Sequence, residues 1–439
     1  MGYRPQKINT ENFDNPKLPP CNWGFFFTYG ELVETGDGTN NYVSYAYDLG
    51  GRIKEVITPK GILEQKITQS YTYDALGNIT GIKDALGNET AYTLDLWGRV
   101  TEILKPDKTR ELYTYDYSGN ITSSKDALGN TIKYEYNSLN RLKKVVDQTG
   151  LEERFWYDNT KRMVLSKDRN DNHIKRHYDQ RGFITKQIHL ETGQKEEYQY
   201  DNIGNLIASK NKDVKYTYTY YKDQRLKTKS LNGIPIISYA YDEMKNVSEI
   251  KVEQGASTKY EYDIVGRLSK VIEDNEIVAK YSYNIDNTLK ETSFKNMMTS
   301  SYKYDEDKNL IGIKTLDEAG KILQDYSYEY DILGNQRIAV EDGKKTSYFY
   351  DSMNRLKEVV GENQKESYIY DQVGNRIQRE LNNKISRYFY DKKNRLKRIQ
   401  DEKNWHIFIM TIKEIYYQKK QKIHWLDIFM MALIEIQRL

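Results

Sequence analysis

The sequence predicts an all-β protein: tandem antiparallel β-hairpins that form one spiralling sheet. Three observations carry this expectation. A short phrase, most fully Y-x-Y-D-x-x-G-[NR]-[LI], returns seventeen times along 439 residues. Its aromatic alternation has the two-residue period of a strand. Tyrosine is overabundant, 40 Tyr against 11 Phe, and Tyr combines strand propensity with an apolar body and a polar tip, which suits a half-buried sheet. At this length two or three globular domains would be the ordinary expectation, but a regular period overrides it.

Clear copies are Tyr71-Thr72-Tyr73-Asp74-Ala75-Leu76-Gly77-Asn78-Ile79 and Tyr260-Glu261-Tyr262-Asp263-Ile264-Val265-Gly266-Arg267-Leu268. The Asp position of the phrase falls at Asp48, Asp74, Asp95, Asp116, Asn137, Asp158, Asp179, Asp201, Asp223, Asp242, Asp263, Asn284, Asp305, Asp331, Asp351, Asp371 and Asp391. Most steps are 20–22 residues; one is 19, and two of 26 read as hairpins with longer loops. Within a unit, Y-x-Y puts both rings on one strand face. D-x-x-G-[NR] is turn chemistry, since Asp bonds the backbone two residues ahead and Gly accepts positive φ. A β-branched strand follows, as in Leu142-Lys143-Lys144-Val145-Val146. A second turn closes the unit, as in Asp84-Ala85-Leu86-Gly87-Asn88, Asp126-Ala127-Leu128-Gly129-Asn130 and Asp147-Gln148-Thr149-Gly150. One such hairpin is marginal alone, so neighbours must stack, and strand twist coils the growing ribbon.

These copies resemble the YD repeat of the Rhs and wall-associated protein superfamily, over roughly residues 41–404. Bacterial Rhs proteins, the C components of insecticidal Tc toxins and teneurins share it. The resemblance implies that the sheet is part of a hollow β-shell. In bacterial members such a shell encloses a C-terminal toxin for delivery to a competing cell or host, and the repeats themselves are not catalytic. It therefore implies a scaffold that is not an enzyme, needs no cofactor and has a C-terminal toxin cargo as partner in the full-length protein. Its place would be secreted or at the cell surface. The self-cleaving aspartyl core that some members carry before the cargo has no counterpart here. The second reading is a cell-surface adhesion or carbohydrate-binding module using exposed Tyr rows; against it, the rows can serve as the packed ladder between hairpins.

The ends depart from the phrase. Residues 1–40 lack it and read as a non-repeat or capping segment containing the apolar run Trp23-Gly24-Phe25-Phe26-Phe27. Residues 405–439 are off-pattern, although a copy is due near position 411. From His406 onward the residues admit codons that, read two bases on, spell Y-F-Y-Y-D-N-K-G-N. Those from Trp425 to Ile436 admit A-G-Y-F-Y-D-G-I-N-R-N. Both restored Asp positions keep the 20-residue step, so the tail reads as a frameshift product of a longer gene. The competing reading is an amphipathic terminal helix or partner-binding segment.

The composition excludes several classes. Basic and acidic residues number 67 and 64, for a net charge of +3 spread through the array, which is no nucleic-acid footprint. The start has no apolar signal-peptide core, and no stretch is long enough to span a membrane. Cys21 stands alone, which removes intrachain disulfides and cysteine zinc sites, and no His partner makes it a nucleophile. His173 and His177 form H-x-x-x-H without the zincin Glu, and on a strand they sit about 13 Å apart. His189, His406 and His424 have no evident partners. The recurring Asp is explained by turn geometry better than by calcium, which needs more closely spaced carboxylates. No catalytic, cofactor-binding or metal residue is singled out.

Overall fold

The structure is a computed structural model that describes residues 24–28, 31–36, 42–59, 66–253, 255–401 and 405–407, with side chains over 43–57, 69–253 and 255–401. Thirty-seven strands, β1 (Gly24–Thr28) to β37 (Trp405–Ile407), follow one another with no helix among the described residues. Each pairs antiparallel with the next, from β1 with β2 (Glu31–Gly36) to β36 (Leu396–Gln400) with β37. The result is one continuous meander. Among the described residues β1 and β37 do not pair, so the sheet is open.

The phrase builds each hairpin by a local mechanism. At Asp74 the Gly77 N–H donates to the Asp74 carbonyl (3.1 Å), and the Asp74 N–H donates to the Asn78 carbonyl (3.0 Å). Gly77 has φ +91°. This is a tight turn whose fourth residue is left-handed and opens a bulge. The carboxylate then satisfies three donors: Oδ1 accepts the Leu76 and Asn78 N–H groups, each at 2.9 Å, and Oδ2 accepts the Asn78 side-chain amide at 2.9 Å. Other copies fill the left-handed position with Asn, as at Asn140 and Asn354, or with Lys, as at Lys161, Lys245 and Lys308.

The bulge sets which residues share a face. Between β11 (Thr131–Tyr136) and β12 (Leu142–Val146), Glu135 pairs with Lys144 but Tyr136 with Leu142. Lys143 is therefore the extra residue, and Leu142 and Val145, three apart, both join Tyr134 and Tyr136 on one face. That face holds most of the core, with Val145, Ala279, Ala339, Val359 and Tyr388 buried, while Ala208 is buried on the other; among the described residues no large side chain is fully enclosed. A single layer has no second sheet to pack on. Stability here is a sum of neighbour-to-neighbour interfaces.

Two expectations change, and the first segment gains detail. The ninth copy closes on Tyr221, not Asp223: the Tyr221 N–H bonds the Arg225 carbonyl (2.8 Å) and the Gln224 N–H bonds the Tyr221 carbonyl (3.0 Å). Asp223 instead sits two residues on and holds Arg225, with Oδ2 2.5 Å from its guanidinium. With this correction the steps of 22 and 19 residues on either side of it become 20 and 21, and only the step from Asp179 to Asp201 stays at 22. Before Asp331 the extra residues do not enlarge a loop; they lengthen β28 (Leu310–Leu316) and β29 (Ile322–Tyr330) around an ordinary turn at Asp317. Finally, the first 40 residues contain β1 and β2, which continue the ribbon from β3 (Tyr42–Tyr47). At the other end, Trp405–Ile407, where the altered frame was read to begin, pairs with β36, while residues 408–439 lie outside the described residues, as does Cys21.

The ribbon also comes round on itself. The loop between β12 and β13 (Glu152–Tyr157) meets the turn between β35 (Lys384–Tyr390) and β36, where Gln148 donates to the Lys392 carbonyl 244 residues away. Likewise the loop between β8 (Val100–Leu104) and β9 (Arg110–Tyr115) meets the turn between β31 (Lys344–Tyr350) and β32 (Leu356–Val360), with Arg355 3.6 Å from Asp107. In both places the contact joins loops 23 strands apart, so one coil uses 23 strands. The edge made of intermediate loops on one coil abuts the edge made of Y-x-Y-D turns on the next.

Candidate functional site

A scaffold works through its joints, and the described residues show two kinds. The first couples each hairpin to the next. The second Tyr of a phrase lies back over the preceding unit and donates its hydroxyl to that unit's backbone. Tyr73 bonds the Ile53 carbonyl (2.6 Å), Tyr115 that of Val100 (2.7 Å), Tyr262 that of Val247 (2.9 Å) and Tyr370 that of Leu356 (2.7 Å). Where the phrase ends in Arg, the guanidinium reaches forward. Arg99 holds Asp95 through Nε (2.7 Å), donates to the Asp116 carbonyl (2.9 Å) and stacks over Tyr115 at 4.6 Å. Arg162 and Arg267 repeat this, reaching the carbonyls of Asp179 (2.7 Å) and Asn284 (3.2 Å). Asn copies link side chains instead, as Asn375 to Asn394 at 3.0 Å. The [NR] of the phrase is thus a lateral coupling residue.

This geometry decides the role of the Tyr rows. The second tyrosines are half-buried, with their hydroxyls committed to backbone carbonyls. They form the packed ladder rather than an open aromatic platform. Burial, reinforced by Glu111, pushes the Tyr113 phenol up to about 12. Burial with Glu196 does the same for Tyr198, and burial with Glu366 for Tyr368.

The second joint is the seam between coils, and Asp147 is its centre. Its side chain is fully enclosed. Oδ1 accepts the Thr149 N–H (2.8 Å), the Thr149 hydroxyl (2.5 Å) and the Leu151 N–H (3.1 Å). Oδ2 faces Lys393 Nζ at 2.9 Å, across the seam, and Arg169 at 3.5 Å. Burial alone would raise this carboxyl; the Thr149 and Lys393 hydrogen bonds outweigh it and hold the group down at about 2. Both ion pairs across the seam have the same polarity, with the carboxylate on the intermediate loop and the cation on the Y-x-Y-D turn. Gln372, in the next turn along, lines the same cleft as Asp107, Asp126 and Leu128.

Of the residues weighed from sequence, His173 and His177 both lie on β15 (His173–Tyr178). The His173 ring is 2.8 Å from Glu191, whose other oxygen accepts the His173 backbone N–H. His189 ends β16 (Ile184–His189). Among the described residues no three His, Cys, Asp or Glu groups converge in a metal-binding arrangement. No helix among them is long and apolar enough to cross a membrane. Sequence reasoning read Asp147 as a turn residue and missed its seam role; its partner is 246 residues on, where no local signal could point.

Fold and joints together define a coiled β-ribbon scaffold. The model of the teneurin YD-shell family matches residues 32–219 and 214–413, and the chain belongs to that structural family. Among solved structures it is similar to TcdB2-TccC3 without its hypervariable C-terminal region, with TM-score 0.55 and 15% identity, over 86% of this chain and 24% of that one. It is also similar to the Photorhabdus luminescens Tc holotoxin pore, with TM-score 0.53 and 15% identity, over 84% and 24%. The TcdB2-TccC3-Cdc42 structure gives TM-score 0.54 at 15% identity, over 86% and 24%. The chain thus spans 24% of the length of these solved chains. No curated protein matches it.

Proposed function

We propose that this chain is a non-catalytic wall segment of a YD-repeat shell that encapsulates a C-terminal polymorphic toxin, secreted or displayed for interbacterial or host-directed delivery. One observation carries the reading: the ribbon coils and locks its own edges through Asp147 and Lys393. A wall built this way joins each coil to the next at points along the seam, which is what isolation of a cargo requires. The similarity to TcdB2-TccC3 structures supports the same reading. The toxin cargo is the partner implied; the repeats need no cofactor.

The test uses the coding sequence extended through the natural downstream DNA, which also shows the reading frame after residue 404. A protease is added to the purified product. The C-terminal segment is expected to resist cleavage while the ribbon is folded, and to be cut rapidly once Asp147→Lys opens the seam. A segment cut equally fast in both proteins, or a downstream frame with no further domain, overturns the proposal.

A further inference from the structure

Within the seam, the third residue of each turn is covered: Met353 and Val373 are half-buried against the loops they face. The same turn position on the first coil is open, and it is repeatedly apolar: Leu76, Trp97, Leu139, Ile203, Met244 and Val265 are all exposed, Trp97 at 70% and Val265 at 61%. Ser118, Thr160, Arg181 and Asp223 interrupt the row at the same position, but exposed apolar side chains gathered along one edge still mark an interaction surface. Lys161 and Lys245 add positive charge to this edge. On the opposite edge, beyond the seam, the intermediate loops expose acidic residues, among them Asp213, Glu318 and Glu362.

We infer that the free turn edge is a docking surface for a second copy of this chain, which seats its intermediate-loop edge there as the seam does within one chain. The seam supplies the template: the same turn position is covered, and the same polarity of charge meets, with Asp107 and Asp147 facing Arg355 and Lys393. Because the two edges differ and both lie on one molecule, the contact is head-to-tail and open-ended. It needs no cargo.

Sedimentation velocity on the 439-residue chain over a concentration series tests this. The wild type is expected to reach roughly double the monomer mass or more. Leu76→Asp/Trp97→Asp/Val265→Asp blocks one edge, and Asp213→Lys/Glu318→Lys/Glu362→Lys blocks the other. Each variant alone stays monomeric with an unchanged far-ultraviolet spectrum, and an equimolar mixture forms one-to-one dimers and nothing larger. A wild type that remains monomeric throughout overturns the inference. So do edge variants that associate as the wild type does, which would place the contact at the unpaired strands, or a mixture that stays monomeric.

Discussion

Val265 and Val373 occupy the same place in the same turn, two residues after Asp263 and Asp371, yet one is exposed and the other half-buried. The first coil and the returning coil are built from the same repeat; only the second has its turn edge against a neighbour. A repeat array therefore carries two layers of information. One is the unit, fixed by adjacent residues. The other is the coil, fixed by which units happen to meet a turn later.

The largest expected effect breaks the coil. Asp147→Ala removes an enclosed carboxylate and leaves Lys393 without its anion, while Arg169 keeps Glu153 at 2.9 Å, and should cost about 3 kcal/mol. Urea unfolding checks it, with the loss concentrated in the transition of the returning repeats. Acid should open the same joint. The folded Asp147 carboxyl sits at about 2 against 3.8 for the unconstrained group. The unfolded chain then binds more protons in that interval. The stabilisation is complete above about pH 4 and lost as the pH falls toward 2, which scattering at stepped pH would show as uncoiling.

A matched pair sharpens the contrast. Val373→Asp should cost about 1–3 kcal/mol because it places a charge within a covered joint. Val265→Asp should change stability by no more than about 0.5 kcal/mol. Equal effects at the two sites would show that the seam adds no stability. By contrast, hydroxyl removal should ignore the coil: Tyr262→Phe and Tyr370→Phe each lose one bond to the neighbouring unit, for about 1 kcal/mol apiece. One change is a gain. Lys245 holds φ +72°, where a side chain is strained, and Lys245→Gly should stabilise by about 0.5–1 kcal/mol in the same urea assay.

What could be read from sequence follows the same division. The turn at Asp74 and Gly77, the strand at Tyr71–Tyr73 and the ladder of second tyrosines are local, so the phrase announced them. The bulge that aligns Leu142 with Val145 was hidden, because alternation counted along the chain does not anticipate an extra residue. Tyr221 was missed because the eye follows Asp, whereas the turn needs only backbone hydrogen bonds. β1 and β2 carry no phrase at all, and their place in the ribbon comes from pairing. Lys393 reads as one lysine among many until the coil brings it to Asp147.

The plain meander has a mechanical consequence. Every strand is bonded only to its predecessor and successor, so tension on either end of the chain loads one hairpin at a time, not the whole wall in shear. Such a wall can be unspooled from an end, thread-like, each pull releasing a hairpin and, where the coils meet, a stitch to the coil beneath.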